Sequence, residues 1–274
     1  MGEHRSVGTE VALANLVAVG ICMLILWFVS LALKNASIVD PFWGTGFVIV
    51  SWVTFFRLGE MSVRTVLLLA MVTLWGLRLS LYLLIRNLPH GEDFRYRAMR
   101  KSHGARFWWV SLFTVFSFQG ILMWLLSTPL ALSIAYKNRQ MGVFEILGAL
   151  IWLVGFSFEA IGDAQLRAFK RDPKSAGQVM DRGLWRYTRH PNYFGESVLW
   201  WGYGIFALSA PGGAYALLAP AAMTFLLLRV SGVTLLEKSL VNRRAGYREY
   251  IERTSAFFPM PQRPEGTRPT RKKK

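Results

Sequence analysis

Apolar positions come in long blocks rather than in alternation. The first, Val11–Leu33, runs 23 residues without a charge. As a helix it would reach roughly 34 Å, enough to cross the hydrocarbon core of a bilayer. Further apolar runs occupy 38–56, 63–85, 107–135, 142–161, 194–210 and 212–229. Gly59, Gly142 and the turn Pro211-Gly212-Gly213 punctuate them. Pro129 lies inside the fourth run and predicts a kink or an early end there. The pattern predicts an all-α, polytopic membrane protein of about seven transmembrane helices. Residues 1–262 are expected to form a single domain, and 263–274 a disordered basic tail that attracts anionic headgroups. The first run is too long for the apolar core of a signal peptide, and Glu3 and Glu10 dilute any basic flank. It reads as a retained helix.

Composition sharpens this picture. Hydrophobic residues make up 53% of the 274, and net charge is +16 from 32 basic against 16 acidic residues. In a soluble chain that charge would suggest nucleic acid. Here the charges lie in the loops between apolar runs, so no nucleic-acid partner is expected. One side of the expected bundle collects Lys34, six basic residues in 86–106, seven in 163–193 and twelve in 229–274. The other has Arg5, Arg57, Arg64, Lys137 and Arg139. That asymmetry places the N-terminus outside and the C-terminus in the cytoplasm. Cys22, alone and inside the first run, excludes an internal disulfide or a cysteine-based metal site. No zinc-ligand spacing occurs either, and no metal is expected.

Several positions carry chemistry. Asp40 precedes Pro41 at the start of the second run, where it could cap a helix or face a ligand and supply a proton. Arg78 is the basic residue set well inside an apolar run. It either snorkels to the interface or binds an anion within the bundle. Residues 91–106 read as an interfacial loop, with arginines directed to lipid phosphate. The alternative has Arg95, Arg97 or Arg100 on an anionic cofactor, oriented by Glu92 and Asp93. Glu159 and Asp163 share one face of the fifth helix, and Arg167 continues it.

Residues 183–196 are denser still. Arg186, Tyr187, Arg189, His190, Asn192, Tyr193 and Glu196 cluster where a basic loop meets an apolar run. His190-Pro191 ends the loop, and the helix after it turns its N-terminal dipole toward the cytoplasm, which favours anions. Arginines there and two tyrosines able to stack on a heterocycle suit a nucleotide. Arg229 and Glu237, in the final segment, are candidates for another wall of that site.

These stretches resemble steroid 5-alpha-reductase-related membrane enzymes, and most closely their bacterial and plant branch. The resemblance rests on four blocks: Asn35-Ala-Ser-Ile-Val-Asp40, Gly91-Glu-Asp-Phe-Arg-Tyr96, Thr188-Arg-His-Pro-Asn-Tyr-Phe-Gly-Glu196 and Ser231-Gly-Val-Thr-Leu-Leu-Glu-Lys238. It implies a seven-helix bundle that takes NADPH from the cytoplasm and a lipophilic substrate from the membrane. It also implies hydride transfer to a carbon–carbon double bond conjugated to a carbonyl. By motif position the cofactor residues would be Arg78, Asp163, Arg167, Asn192, Glu196 and Arg229. In the animal enzymes a glutamate and a tyrosine hold the substrate carbonyl. Trp75 stands where that tyrosine would, and the glutamate has no counterpart, which points away from a steroid enone. Asp40 and Tyr82 are the candidate substitutes, with Trp75, on the catalytic side.

Two other functions remain open. Isoprenylcysteine carboxyl methyltransferases also carry Arg-His-Pro-x-Tyr and a later glutamate, so residues 189–193 and Glu237 fit S-adenosylmethionine as well. A non-enzymatic lipid-binding protein is the third reading. Membrane lipids and a lipophilic small molecule are the expected partners. The expected location is a bacterial inner membrane, with the endoplasmic reticulum as the alternative.

Overall fold

A chain in hydrocarbon has no water to satisfy its backbone, so long apolar runs close their own hydrogen bonds as helices. The computed structural model describes residues 2–230, 232–233, 237, 240–241, 244 and 246–264. Its elements are helical, and among the described residues extended pairing is confined to a Thr188–Ser255 bridge. In chain order we name α1 (Gly2–Leu33), α2 (Val39–Leu58), α3 (Val63–Asn87), α4 (Phe94–His103), α5 (Phe107–Ser111), α6 (Phe118–Leu126) and α7 (Thr128–Ala135). Next come α8 (Val143–Arg171), α9 (Pro191–Phe206), α10 (Leu218–Phe225) and α11 (Tyr247–Arg253).

Six helical stretches among the described residues are long and apolar enough to cross a membrane: Gly8–Leu33, Ala36–Leu58, Val63–His90, Phe94–Leu126, Val143–Arg171 and Gly213–Val230. The protein is thus a polytopic helical membrane protein. The remaining apolar run, expected from 194 to 210, folds as the 16-residue α9. At 16 residues, with Asn192, Glu196 and Ser197 in its first turns, it is shorter and more polar than the helices of that set. The fourth run breaks where Pro129 predicted: α6 ends at Leu126 and α7 begins at Thr128, with the proline in its first turn. Upstream, the expected loop 91–106 is largely helical. It continues through a π-turn at Leu112–Ser117 into one stretch ending at Leu126. The tail from 265 onward lies outside the described residues, as do Ser231, Thr234–Leu236 and Lys238 of the last family block.

The residues group into two compact units. One comprises the chain to Glu145 together with Ala207–Ala219; the other runs from Ile146 to Phe206 and from Pro220 onward.

In the first unit α1 shows two faces. Val11, Asn15, Val19, Met23 and Trp27 recur every four residues and are buried, while Leu13, Val17, Ile21, Leu24 and Phe28 lie between 44% and 58% exposed. Exposed apolar stripes of this kind are what a lipid-facing surface requires. Side-chain hydrogen bonds tie the helices where water is absent. Asn15 Nδ2 donates to Thr54 Oγ1 at 2.8 Å, Trp124 Nε1 to the Ala12 carbonyl at 2.8 Å, and Trp27 Nε1 to the Trp108 carbonyl at 2.8 Å.

One buried charge pair closes the end of this unit opposite to Asp40. Arg64 and Glu145 are 0% and 1% exposed and meet at 2.8 Å. Arg64 also donates to the Ser133 carbonyl at 2.6 Å and the Tyr136 carbonyl at 3.2 Å, and Glu145 accepts from the Gly142 amide at 3.0 Å. The pair therefore joins the start of α3, the end of α7 and the start of α8. Removing one partner strands a charge in a dry site, at a cost of about 3–5 kcal/mol. Arg64→Met is expected to lower the melting temperature sharply in detergent, whereas the double variant Arg64→Met/Glu145→Leu recovers most of the loss. Equal melting of the single and double variants would show that the pair does not act as a unit.

Candidate functional site

The second unit is built on a seam of glycines. Gly148, Gly155 and Gly162 recur every seven residues on α8, and Gly195 and Gly202 do so on α9. A seven-residue spacing keeps one narrow stripe facing a partner helix. A Cβ on Gly148 would stand 2.7 Å from the Gly202 carbonyl oxygen, one on Gly155 2.6 Å from that of Gly195, and one on Gly162 3.3 Å from the Asn192 amide. The pairing steps forward on α8 and backward on α9, so the helices are antiparallel with their backbones in contact. Gly155→Val is expected to cost about 1–3 kcal/mol, because both neighbours at that point are backbone and cannot move aside. A thermal melt measures it.

This close approach sets the polar side chains of the two helices against each other. Asp163, 3% exposed, accepts from Asn192 Nδ2 at 3.2 Å. The Asn192 side-chain oxygen Oδ1 is itself buried with no hydrogen-bond partner, a state that ordinarily costs free energy unless a ligand or water completes it. Glu159 lies one turn before Asp163 and is 2% exposed. Glu196, one turn after Asn192, is half-buried, as is Arg167, one turn after Asp163.

The loop before α9 is pinned from two sides. Trp185 Nε1 donates to the Gly162 carbonyl at 3.0 Å and the Leu184 amide to Gln165 Oε1 at 2.9 Å, which fixes the loop on α8. The C-terminal segment fixes it from the other side: the Arg189 amide donates to the Ser255 carbonyl at 2.9 Å and the Met260 amide to the Tyr187 carbonyl at 2.9 Å. Tyr250 adds a hydroxyl bond to the Trp185 carbonyl.

At the centre Glu237 receives both Arg189 Nε, at 2.7 Å, and His190 Nε2, at 3.2 Å, on the same oxygen. Arg189 is 7% exposed and also donates to the carbonyls of Ile251 and Thr254. Its donors are thus engaged within the protein. Tyr193 stacks on His190 with ring centroids 5.6 Å apart. Arg186 and Tyr187 stand exposed on the turn before this cluster, and Arg229 is exposed at the end of the π-turn after α10.

Burial pushes the His190 imidazole below its ordinary 6.5, against the pull of Glu237 and with the help of Arg189. Burial pushes the Glu237 carboxyl up, but the bonds from His190 and Arg189 outweigh it and hold the group below its ordinary 4.5. Burial, with Glu237 adding to it, raises the Tyr247 hydroxyl to about 12. Both depressed groups act with one sign. The stability they contribute is present above their ordinary values and is lost as pH falls through the lowered ones. Thermal melts across pH are expected to show stability declining below 6.5. His190→Gln should confine that decline to the range below about pH 4.5, where Glu237 protonates.

The early candidates lie in the first unit and fall into two groups. Trp75 is 0% exposed and packs on Phe47 at 5.9 Å, as a core side chain between α2 and α3. Arg78 is half-buried with its guanidinium 5.9 Å above the Tyr82 ring. Asp40 does not cap α2, whose N-cap position is Ile38 with no side-chain bond; Asn35 instead caps the short turn before it. The Asp40 carboxylate accepts from Tyr96 OH at 2.7 Å and Arg95 Nη2 at 2.9 Å. Gln119 donates to the Tyr96 oxygen at 3.2 Å and accepts from Trp43 Nε1 at 2.7 Å. Nearby Glu92 takes Arg100 through two bonds, at 2.8 and 3.0 Å, and the Ala36 amide at 2.8 Å. Arg95 and Arg100 thus engage acids of the protein, Arg95 with Asp40 and Asp93 and Arg100 with Glu92, as the alternative reading of this loop has Glu92 and Asp93 orient them. The blocks at 35–40 and 91–96 form one polar clasp. Tyr96 and Gln119 were not singled out from sequence, although Gln119 is the sole amide in its apolar run.

Residues 26–254 match the family described as "Protein of unknown function (DUF1295)". The chain belongs to this DUF1295 family. A Schizosaccharomyces pombe protein described as uncharacterized is 26% identical over 265 residues, covering 86% of this chain and 76% of that protein. The bovine 3-oxo-5-alpha-steroid 4-dehydrogenase 1 is 32% identical over 71 residues, which is 26% of this chain and 28% of the bovine protein. The human protein of that name is 31% identical over 71 residues, covering 27% of its length. The chain thus spans under a third of each of these dehydrogenases. No solved structure matches it. The similarity to steroid dehydrogenases agrees with the resemblance read from the motifs.

Proposed function

We propose that this DUF1295 protein is a membrane oxidoreductase that uses NADPH to reduce a carbon–carbon double bond of a lipophilic, enone-like substrate. The observation that carries the reading is the Asp163–Asn192 pair on the glycine seam, with its unfilled buried acceptor. The partial similarity to 3-oxo-5-alpha-steroid 4-dehydrogenases supplies the reaction class.

The residues of the second unit fit a dinucleotide by chemistry. The Asn192 side-chain oxygen Oδ1 accepts from a sugar hydroxyl or a base amide. The half-exposed Arg167 and the exposed Arg186 and Arg229 pair with phosphate. Tyr187, 46% exposed, offers a ring for stacking. NADPH when bound supplies the hydride. The chain positions and excludes water, and Asp163 holds the Asn192 amide so that its oxygen faces the ligand. Arg189, His190 and Glu237 act by fixing the loop, since their polar atoms engage one another. Arg78 stays with the cofactor residues in this reading, and Asp40 and Tyr82 belong to the substrate side, where the Tyr82 hydroxyl is the kind of donor a carbonyl needs as negative charge develops on it.

Fluorescence titration of the protein in nanodiscs with NADPH tests the proposal. Saturable binding is expected. Asn192→Ala is expected to weaken it about tenfold, equivalent to ~1.4 kcal/mol. Absence of saturable binding sinks the reading.

A methyltransferase reading draws on one observation, that Arg189 and His190 converge on a glutamate from the C-terminal segment. Stabilisation by S-adenosylmethionine and not by NADPH in a thermal-shift comparison would favour it.

A further inference from the structure

The helical stretch Phe94–Leu126 is 33 residues long. As a helix it would reach about 50 Å, against roughly 30 Å of hydrocarbon, so about a dozen residues stand outside the apolar core. The charges say which. From Phe107 to Leu126 no residue is charged, and that length alone fills the core; Arg95, Arg97, Arg100, Lys101 and Arg106 all precede it. The α4 end is therefore the end that meets headgroups and water.

The cations of that end sort onto two faces. Arg95, Tyr96, Met99 and Arg100, at i, i+1, i+4 and i+5, turn toward the protein. Arg95 pairs with Asp40 and Asp93, and Arg100 pairs with Glu92 and lies 4.5 Å above the Phe107 ring. Two arginines thus occupy three acids. Arg97 and Lys101, one turn apart, are exposed on the other face, and Arg106 is exposed just after Gly104, where the chain turns with a φ of +52°. Glu92 senses the Arg97 charge, but its oxygens are taken by Arg100 and the Ala36 amide. Among the described residues Arg97, Lys101 and Arg106 have no carboxylate in salt-bridge reach. The same end of the stretch also presents rings: Phe94, Trp108 and Trp109 are 45%, 56% and 44% exposed.

Three uncompensated cations and three exposed rings call for a partner that brings both anions and hydrocarbon. A free phosphate or a nucleic acid would use the cations and leave the tryptophans in water. A zwitterionic phospholipid has phosphate, but its own ammonium balances the charge. A phospholipid with net negative charge serves both, with tryptophan rings at the boundary and arginine and lysine among the headgroups.

We propose that the outer face of α4, with Arg106 and the Trp108–Trp109 pair, is a binding surface for anionic phospholipid headgroups. Lipid phosphate then holds the outer side of the helix whose inner side clasps Asp40 and Glu92. The surface needs no nucleotide, so it stands or falls apart from the reductase reading.

The test uses the whole protein in nanodiscs of phosphatidylcholine alone or mixed with phosphatidylglycerol of the same chains, without nucleotide. Acetylation of surface lysines is followed by mass spectrometry. Lys101 is expected to react at least threefold more slowly in the phosphatidylglycerol discs, while Lys174, exposed in the second unit, keeps its rate. Equal rates for Lys101 in the two discs overturn the proposal, and equal slowing of both lysines overturns it in favour of a general effect of surface charge. Protection of Lys101 by NADPH in phosphatidylcholine discs would give this face to the cofactor and overturn it as well. These comparisons use the unmodified protein, so they hold even if a variant fails to fold. In detergent, native mass spectrometry of the unmodified protein is expected to show phosphatidylglycerol retained about tenfold more than phosphatidylcholine. The triple variant Arg97→Gln/Lys101→Gln/Arg106→Gln should lose most of that preference. Arg171→Gln/Lys174→Gln/Arg182→Gln, which removes the same charge from exposed positions of the second unit, should keep it. Equal loss by the two triple variants contradicts the assignment to α4.

Discussion

Everything in the second unit depends on how closely the α8 and α9 backbones approach. In hydrocarbon, side chains gain little by leaving lipid, so helices hold together through packing and hydrogen bonds. Five glycines supply the packing by letting backbone touch backbone along two heptads. The same approach has a chemical result. It brings Asn192, in the first turn of α9, within hydrogen-bond reach of Asp163, near the end of α8. With larger residues in the seam the helices would stand several ångströms apart, and the acid and the amide would face a gap. Packing and site are therefore one feature here, which is why the polar residues cluster at the same end as Gly162 and Gly195.

The loop between these helices is held by a different force. Arg189 is surrounded by acceptors: a carboxylate oxygen of Glu237 and the carbonyls of Ile251 and Thr254. A guanidinium with so little exposure is kept by the strength of charge-assisted bonds, and removing any acceptor would leave charge uncompensated. The cluster gives the Arg-His-Pro stretch a structural task. It also separates the arginines of the region into two kinds. Arg189 faces inward and orders the chain, whereas Arg186 and Arg229 are exposed.

Much of this was legible in the chain. Apolar run lengths located the spans, and Pro129 marked the break between α6 and α7, because both signals are local. The polar start of α9 was visible too, and with its length of 16 residues it sets that helix apart from the six clear spans. The seven-residue recurrence of Gly148, Gly155 and Gly162 is written in the sequence as plainly as any motif, yet its meaning needs the partner stripe at Gly195 and Gly202. What stayed hidden was long-range pairing. Glu237 is 48 residues from Arg189, and Tyr96 is 56 from Asp40. No periodicity connects such positions. Asp40 reads as a helix cap in isolation, and only the fold shows that Arg95 and Tyr96 take its carboxylate.

The clasp around Asp40 also explains why two separate family blocks belong together. A carboxylate at the edge of the hydrocarbon is tolerable when every oxygen is matched by a donor. Tyr96 and Arg95 do this for Asp40, and Arg100 with the Ala36 amide does it for Glu92. Each acid thus requires a residue from the other block, and neither block is stable in this position alone. The Tyr96 hydroxyl is already committed, donating to Asp40 and accepting from Gln119. A substrate that needs the Tyr96 proton must therefore take the place of Asp40 as its acceptor, or draw on the clasp as a whole. That constraint moves attention from any single tyrosine to the coupled set Asp40, Arg95, Tyr96 and Gln119 as the unit that would respond to a ligand.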